Sequence, residues 1–507
     1  METLLSSVLG EVMTRSINFI ISKSSTPPAP ALEDSLQRAL LRAQVIVDEA
    51  TGRHITNQAM LLQLDMLRDA VHKGSYALDS FRYHYQPHAA DGDDSDQASR
   101  RSVPLSIASC AKIPRFSRGN ARILVQLREA LDRLTSMVAD ADVLVLLLMS
   151  YPRRRYRQPY SMHLMLENCM FGRQMETEHV ISFLLHAQPS HGAEEPEVLP
   201  IVGPGRVGKT TLVTHVCKDE RVRDRFAEIV LLNDLDFTNA DLLAAFRRRC
   251  SVRNGDRGSS SNRKEGKFLV VVEVAGDFDE DAWSRLYSAS KRCVPRGSKI
   301  ILTSRTDKIT KVGTARPLTL NFLPREAYWY FFRTLAFGSA DPRAHPRLAN
   351  VAMEVAASMN GAFISAHITA RFLRGNLDAR FWGKVLALYG EFVDKHGSRF
   401  GGNPFATLNQ EGPALLGRMG GASADLMVHH NNECSSPVEV PDVMTVQWLD
   451  LLMFGSEVVV RAQGKFQFVW TSPIPPYYSH VYTCEILGRK SAAAKRKRSV
   501  ENDVAFS

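Results

Sequence analysis

Long apolar runs, paired cysteines and a strong excess of one charge are all missing from this 507-residue sequence. The longest apolar run covers residues 143–149 and is far too short to cross a lipid bilayer. The first residues include Glu2, Glu11 and Arg15, whereas a secretory signal would carry a continuous apolar segment. We therefore expect a soluble protein without a membrane span.

The cysteine pattern excludes both a zinc ribbon and a disulfide framework. Seven cysteines are spread along the chain, none at the short paired spacing that zinc sites need, and their number is odd. This usage is typical of a reducing, intracellular compartment, so we expect a cytoplasmic location.

The charge of the chain permits an anionic partner without indicating one. The net charge is +9 and is dispersed over many arginines. A basic cluster of Lys495, Arg496, Lys497 and Arg498 lies in a tail of small residues. Two interpretations of this cluster stay open, a solvated disordered tail and a nuclear import signal.

Hydrophobic periodicity divides the chain into several regions. Leu36, Leu40, Ala43 and Val47 recur at helical spacing, which predicts amphipathic helices that share a core. Farther along, short apolar runs alternate with helical segments, as in a parallel sheet covered on both faces. We predict six regions: an antiparallel helical bundle over 1–150, a nucleotide-binding domain over 165–320, a helical domain over 321–395, a loosely ordered linker over 396–440, a module with a β-hairpin over 441–488, and a basic disordered tail over 489–507.

The most informative motif is the octapeptide GPGRVGKT at residues 203–210. Two glycines separated by four residues, followed by Lys and a hydroxyl residue, form the phosphate-binding loop pattern. Such glycines let the backbone curl until several N–H groups point at one phosphate chain. An apolar run precedes the motif and a helical pattern follows it, in the order that this loop requires. We predict that the nucleotide contacts come from this loop and the start of its helix, namely Gly203, Gly205, Val207, Gly208, Lys209, Thr210 and Thr211.

Two further strand ends are candidates for the other half of this site. The run 268–272 ends at Glu273, a carboxylate that with Thr210 would hold Mg²⁺. Its neighbour Val274 is apolar, so the second acid that usually activates water is missing and turnover should be weak or absent. Arg305 follows the strand 299–303, where a guanidinium fork can sense a γ-phosphate.

In this order the motifs resemble the plant intracellular disease-resistance proteins, which combine a coiled-coil N-terminus with an NB-ARC nucleotide-binding region. The resemblance covers about residues 1–390. It implies that Phe171 and Arg173 line an adenine pocket and that Phe363 replaces the proline that packs on the adenine. It also implies an α/β P-loop NTPase fold, a bound ADP or ATP with Mg²⁺, and a ligand-dependent switch. The family's leucine-rich repeats find no counterpart in this sequence, so it resembles a truncated or helper-type member.

Three hypotheses about function follow. The first is an ADP/ATP-binding signalling switch in plant defence, at most a weak ATPase, that oligomerises or meets other resistance proteins through its helical bundle and reaches a membrane only after activation. The second is a non-switching adaptor or decoy that pairs with resistance proteins, favoured by the missing second acid and by Phe363. The third, an ATPase acting on nucleic acid, ranks last because no stripe of basic and aromatic residues accompanies the charge.

Overall fold

We describe a computed structural model of the chain over residues 29–85, 116–152, 170–186, 195–233, 266–416, 425–434, 465–474 and 478–487. The N-terminal residues 1–28 and the basic tail lie outside these ranges, as does the stretch 91–96, whose acidic composition predicts a disordered loop. The chain divides into two compact units, residues 1–49 with 66–150 and residues 50–65 with 151–507. The prediction places one domain boundary at residue 150. The structure adds a second exchange between the units, because residues 50–65 belong with the larger unit.

The smaller unit is helical, as the periodicity predicts. Its helices are formed within Ala29–Thr51 (α1), Gln58–Tyr85 (α2), Phe116–Ala139 (α3) and Asp142–Leu148 (α4). Leu36 from α1, Leu67 and Phe81 from α2, and Leu127 and Leu134 from α3 are almost fully buried in one cluster. The stripe of apolar residues therefore forms the core of a helical bundle rather than a ligand site.

The larger unit is built around a parallel sheet. Its strands are Glu197–Val202 (β1), Phe226–Asn233 (β2), Lys267–Val274 (β3), Lys299–Ser304 (β4) and Leu318–Thr319 (β5), and they lie in the order β2-β3-β4-β1-β5. All of the strand pairs in this sheet are parallel. Apolar side chains on its two faces form two separate buried clusters, which explains why the strand sequences are apolar throughout. The predicted fold class is confirmed.

Helices flank this sheet and continue beyond it. Around the strands lie Gln174–Leu185 (α5), Lys209–Cys217 (α6), Glu220–Arg225 (α7) and Glu280–Cys293 (α8). The helical region that follows contains Arg325–Phe337 (α9), Pro346–Ser358 (α10), Phe363–Gly375 (α11) and Ala379–Phe400 (α12). Helix α12 passes the predicted end of this region at residue 395 by one turn, because Gly401, at φ 75°, is the first residue to leave the helical conformation.

The prediction of a loosely ordered linker over 396–440 is wrong for its described residues. They form the end of α12, the helix Pro404–Asn409 (α13) and the strands Ala414–Leu416 (β6) and Asp425–Cys434 (β7). Asn403 caps α13 by accepting a hydrogen bond from the backbone N–H of Phe405 at 2.9 Å. The composition rich in Gly and Asn misled the prediction, since here these residues end and cap helices or pair within a sheet.

The C-terminal sheet contains the second strand of the predicted hairpin. Strands Lys465–Thr471 (β8) and Ser479–Leu487 (β9) pair in antiparallel fashion, within a four-stranded sheet of order β6-β7-β9-β8. The sequence predicts this hairpin between residues 458–461 and 466–470. Residues 458–461 lie outside the described ranges, and Phe466–Trp470 pair with the strand that follows them.

His396 attaches this sheet to helix α12. Its Nδ1 accepts a hydrogen bond from the Leu415 N–H at 3.2 Å, and its Nε2 lies 3.3 Å from the Thr407 hydroxyl. This arrangement fits a neutral imidazole that donates through Nε2, and burial lowers the pKa of the ring. The start of the C-terminal sheet is thereby fixed to the helical region.

We expect Trp382→Ala to lower the free energy of unfolding of the larger unit by about 3 to 5 kcal/mol. Trp382 is fully buried, packs on Phe337 and donates its indole N–H to the carbonyl oxygens of Leu373 and Asn376. Denaturant unfolding followed by circular dichroism measures the loss. Trp382→Phe should cost less because it keeps most of the ring, and equal costs for the two variants would contradict this packing.

Candidate functional site

The phosphate-loop motif lies between β1 and α6, at the carboxyl edge of the parallel sheet. The Gly203 N–H donates to the Ser304 carbonyl at 3.3 Å, so the loop starts beside the end of β4. A Cβ at Gly203 would lie 2.4 Å from the Leu320 carbonyl oxygen, and Gly208 has φ 93°. Both positions thus require glycine. Val207 is buried in the core and anchors the loop, while Thr211 is half-buried in the first turn of α6.

Lys209 and Thr210 begin helix α6 and face different partners. The Lys209 ammonium is buried and donates to the carbonyl oxygens of Gly203 and Pro204 at 2.7 and 2.8 Å. The Thr210 hydroxyl donates to Oε1 of Glu273 on β3. Because the helix N-terminus adds partial positive charge at the same place, cationic and N–H groups converge on this loop.

Glu273 is held from two sides. Its second oxygen, Oε2, accepts a hydrogen bond from the Tyr478 hydroxyl at 2.9 Å, and Tyr478 immediately precedes β9 of the C-terminal sheet. Val274 packs into the buried core, so no acid stands beside Glu273 on the strand. Asp279 accepts hydrogen bonds at the start of α8, and Asp277 is exposed. Neither residue is shown in contact with Glu273.

Arg305 follows β4 and is paired with a carboxylate. Its Nη1 and Nη2 donate to Oε2 and Oε1 of Glu411 at 2.8 and 2.6 Å. Glu411 lies in the turn between α13 and β6, so a segment more than a hundred residues downstream reaches the carboxyl edge of the parallel sheet. Arg305 lowers the pKa of Glu411, which keeps the carboxylate charged.

Arg206 points from the phosphate loop into the same downstream segment. Its side chain is only 4% exposed, and its Nη1 donates to the Leu408 carbonyl oxygen. Its Nη2 lies 4.0 Å from Oε1 of Glu411. The buried His480 of β9 completes this group. Burial, followed by the charge of Arg206, lowers the pKa of His480 to about 4, so its ring is neutral at pH 7.

The residues predicted to contact adenine make contacts with aromatic and polar neighbours. Phe171 is buried and stacks on Tyr330, with ring centroids 5.7 Å apart. Both Phe171 and Phe363 also contact the ring of Phe331, at 5.6 and 5.3 Å. Arg173 donates to the Asn321 carbonyl oxygen and to Glu176. The structure therefore brings Phe171 and Phe363 into one aromatic group, while their contact with adenine stays a prediction.

The residues present fit a nucleotide with Mg²⁺. The loop is a cradle that side chains would fill, since a Cβ at Gly205 would approach the Asn409 carbonyl oxygen at 3.1 Å. A hydroxyl and a carboxylate, from Thr210 and Glu273, are the hard oxygen ligands that Mg²⁺ prefers. Among the described residues, no group of three or more His, Cys, Asp or Glu side chains forms a separate metal site. No helix in the described ranges has the length and apolarity to cross a membrane.

Sequence reasoning found one half of this site and missed the other. Glu411, Tyr478 and His480 were not predicted, because their role comes from tertiary contacts between segments far apart in the sequence. Arg206 carries no sequence signal of this role either, because its positive φ of 61° and its buried partner appear only in the folded chain.

We expect the larger unit to lose stability as the pH falls from 6.5 towards 4. The pKa of His480 in the folded protein is about 4, below its ordinary value of 6.5. Between these values the unfolded chain binds more protons than the folded one, so the stabilisation that the neutral ring provides is complete only above pH 6.5. The full loss is about 3 kcal/mol for this group.

Denaturant unfolding measures the free energy of unfolding between pH 6.5 and 5. This range stays above the pKa of Glu411, which Arg305 lowers, so that carboxylate keeps its charge throughout. His480→Gln should reduce the pH dependence, whereas the exposed-residue control His345→Gln should leave it intact. An unchanged dependence in His480→Gln would refute the assignment.

The comparisons with known proteins agree with this geometry. Residues 173–341 match the NB-ARC domain. The C. elegans PCH-2 structure shares 12% identity at a TM-score of 0.29, covering 40% of this chain and 62% of that chain, which is too weak a similarity to support an argument.

Curated relatives are plant proteins. "Putative disease resistance protein RGA1" of Solanum bulbocastanum is 28% identical over 43% of this chain and 23% of its own length. "Putative disease resistance RPP13-like protein 1" of Arabidopsis thaliana is 23% identical over 70% of this chain and 34% of its own length. The chain thus spans about a quarter to a third of the relatives it matches. Residues 173–341 therefore match an NB-ARC domain, and the chain is similar to plant disease-resistance proteins.

Proposed function

We propose that this chain is an ADP/ATP-binding signalling switch in plant innate immunity, with weak or no ATP hydrolysis. The observation that carries the proposal is the contact of Thr210 with Glu273 beside the buried Lys209, at the end of a parallel sheet. The NB-ARC match covers this site, and the relatives' printed names refer to disease resistance. The relatives' names give no support to the adaptor alternative.

Each residue of the loop has a separate task in this proposal. The N–H groups at the start of α6 bind phosphate oxygens, and the Lys209 ammonium supplies charge to the β- and γ-phosphates. Thr210 and Glu273 would hold Mg²⁺, which when bound neutralises phosphate charge. Arg305 distinguishes ATP from ADP through its guanidinium fork, and the aromatic group that includes Phe171 and Phe363 provides a surface for the adenine.

Weak hydrolysis follows from the surroundings of Glu273. A phosphate-loop ATPase needs a group that orients or deprotonates the attacking water, and losing such a group typically costs about 10² to 10⁴ in rate. The neighbouring position on β3 is Val274, which is buried in the core. Its side chain offers no acid or base, so this proposal emphasises binding and exchange over turnover.

The proposal includes a cytoplasmic location and signalling through the N-terminal helices. A bundle with its own apolar core, separate from the nucleotide-binding unit, provides a surface for a second copy or another resistance protein. Exchange of ADP for ATP would then change which surfaces are available to such partners.

We expect purified wild-type protein to release ADP on denaturation, and Lys209→Ala to carry little or none. Removing a buried charged donor to phosphate costs about 1.5 to 3 kcal/mol, which corresponds to about 10- to 100-fold weaker binding. Chromatography of the released nucleotide, together with calorimetric titration, measures this change.

The matched control is Lys291→Ala, which removes an exposed ammonium paired with Glu195 at 2.7 Å. This variant should keep its nucleotide. A wild-type protein that carries none and binds neither ADP nor ATP in titration would overturn the proposed function.

We also expect wild-type protein to release phosphate from ATP no faster than Lys209→Ala does, because Val274 leaves the attacking water without a base. A phosphate-release assay at saturating Mg²⁺ and ATP checks this. Sustained turnover that depends on Lys209 would identify the protein as an ATPase instead.

A further inference from the structure

The C-terminal residues of the larger unit contact the phosphate loop directly. Gly205 approaches the Asn409 carbonyl oxygen so closely that a Cβ would lie 3.1 Å from it, and Arg206 donates to Leu408. Glu411 and Tyr478 reach the ends of β4 and β3 through Arg305 and Glu273. Two separate downstream segments therefore meet at the proposed nucleotide site.

Backbone strain is concentrated at this contact. Only three described residues other than glycine have positive φ, and two of them are Arg206 at 61° and Glu411 at 62°. The third is Asn360, a type that tolerates this conformation. A left-handed conformation is unfavourable for an ordinary residue and persists only where the surroundings hold it. The contacts made by Arg206 and Glu411 must therefore offset this cost.

Glu411 occupies the hydrogen-bonding fork of Arg305. Its two carboxylate oxygens accept from Nη1 and Nη2 at 2.8 and 2.6 Å, the bidentate geometry that a guanidinium also offers to a phosphate. A third phosphate that pairs with this fork must displace a carboxylate of the same charge. ADP lacks that phosphate and makes no such demand.

The hydroxyl of Tyr478 engages the carboxylate of Glu273, as Glu411 engages the guanidinium of Arg305. The Tyr478 hydroxyl donates to Oε2 while Thr210 donates to Oε1, so both carboxylate oxygens are engaged. Each hydrogen bond uses one of the two lone pairs on its oxygen and draws negative charge away from the carboxylate, so Glu273 is a poorer ligand for a cation while the Tyr478 contact is in place. Binding of Mg²⁺ there therefore competes with the contact from Tyr478.

We propose that Glu411 and Tyr478 are specificity-determining residues of this site, which favour a nucleoside diphosphate over a magnesium-bound triphosphate by occupying Arg305 and Glu273. This inference rests on the proposed function, because it assumes that the loop binds a nucleotide. It assigns the preference to two side chains that act on different parts of the ligand. Glu411 opposes the third phosphate, whereas Tyr478 opposes the cation.

The two residues therefore have different signatures. Glu411→Gln keeps the size of the side chain but removes its charge, so ATP should bind about tenfold or more tightly relative to ADP, both with Mg²⁺ and with a chelator. Tyr478→Phe removes only the hydroxyl, so the ATP-to-ADP preference should rise with Mg²⁺ present and stay unchanged with the chelator.

The experiment is a titration of ADP and ATP into each full-length variant after removal of bound nucleotide, with Mg²⁺ or with a chelator. Matched controls are Glu195→Gln and Tyr287→Phe. In the wild type the Tyr287 hydroxyl donates to the Glu195 carboxylate at 3.3 Å, a similar contact outside the phosphate loop. Both controls should keep the wild-type preference. Glu411→Gly provides a second test, since glycine removes the carboxylate and also relieves the strain at φ 62°.

The outcomes separate the two proposals. If ADP and ATP bind to wild type and are lost in Lys209→Ala, but Glu411→Gln, Glu411→Gly and Tyr478→Phe all keep the wild-type preference within twofold, the specificity role is wrong and the nucleotide site remains. The specificity role is supported if the ATP-to-ADP preference rises in Glu411→Gln with and without Mg²⁺, and in Tyr478→Phe only with Mg²⁺. If wild type binds neither nucleotide, the proposed function fails and this inference fails with it.

Discussion

The site depends on one constraint, the parallel pairing of β4 with both β1 and β3 at the centre of the sheet. Because parallel strands end at the same edge, Ser304 is paired to both Val202 and Val274, and Glu273 lies one residue before that level, beside Thr303. The phosphate loop leaves from the end of β1, the carboxylate stands near the end of β3 and Arg305 follows β4. No loop needs to be long for these groups to meet.

A second layer of contacts comes from outside the sheet. His396 fixes β6 to helix α12, and the turn before β6 then presents Glu411 to Arg305. The same sheet places Tyr478 against Glu273 and the neutral His480 beside Arg206. The helical region and the C-terminal sheet thus determine the electrostatic surroundings of a loop whose own sequence is far upstream.

The sequence allowed prediction of the parallel sheet and the loop because both carry local signals. Apolar runs mark β1, β3 and β4, and the glycines of the loop are required by close backbone approaches such as that of Gly203 to Leu320. The region after residue 400 gave no comparable signal. There, Asn403 caps a helix and the polar strand β7 is stabilised by partners on both sides, so tertiary pairing outweighs composition. Glu411 lies in a turn whose local sequence says nothing about Arg305.

The buried side chain of Arg206 has a consequence for how the chain matures. Its acceptor, the Leu408 carbonyl, is 202 residues further along the sequence. During synthesis the loop emerges long before that acceptor, since chains grow at about 5 to 20 residues per second. The nascent loop therefore has no partner that holds Arg206 at its positive φ, and it reaches its final shape only when the downstream half has folded against it.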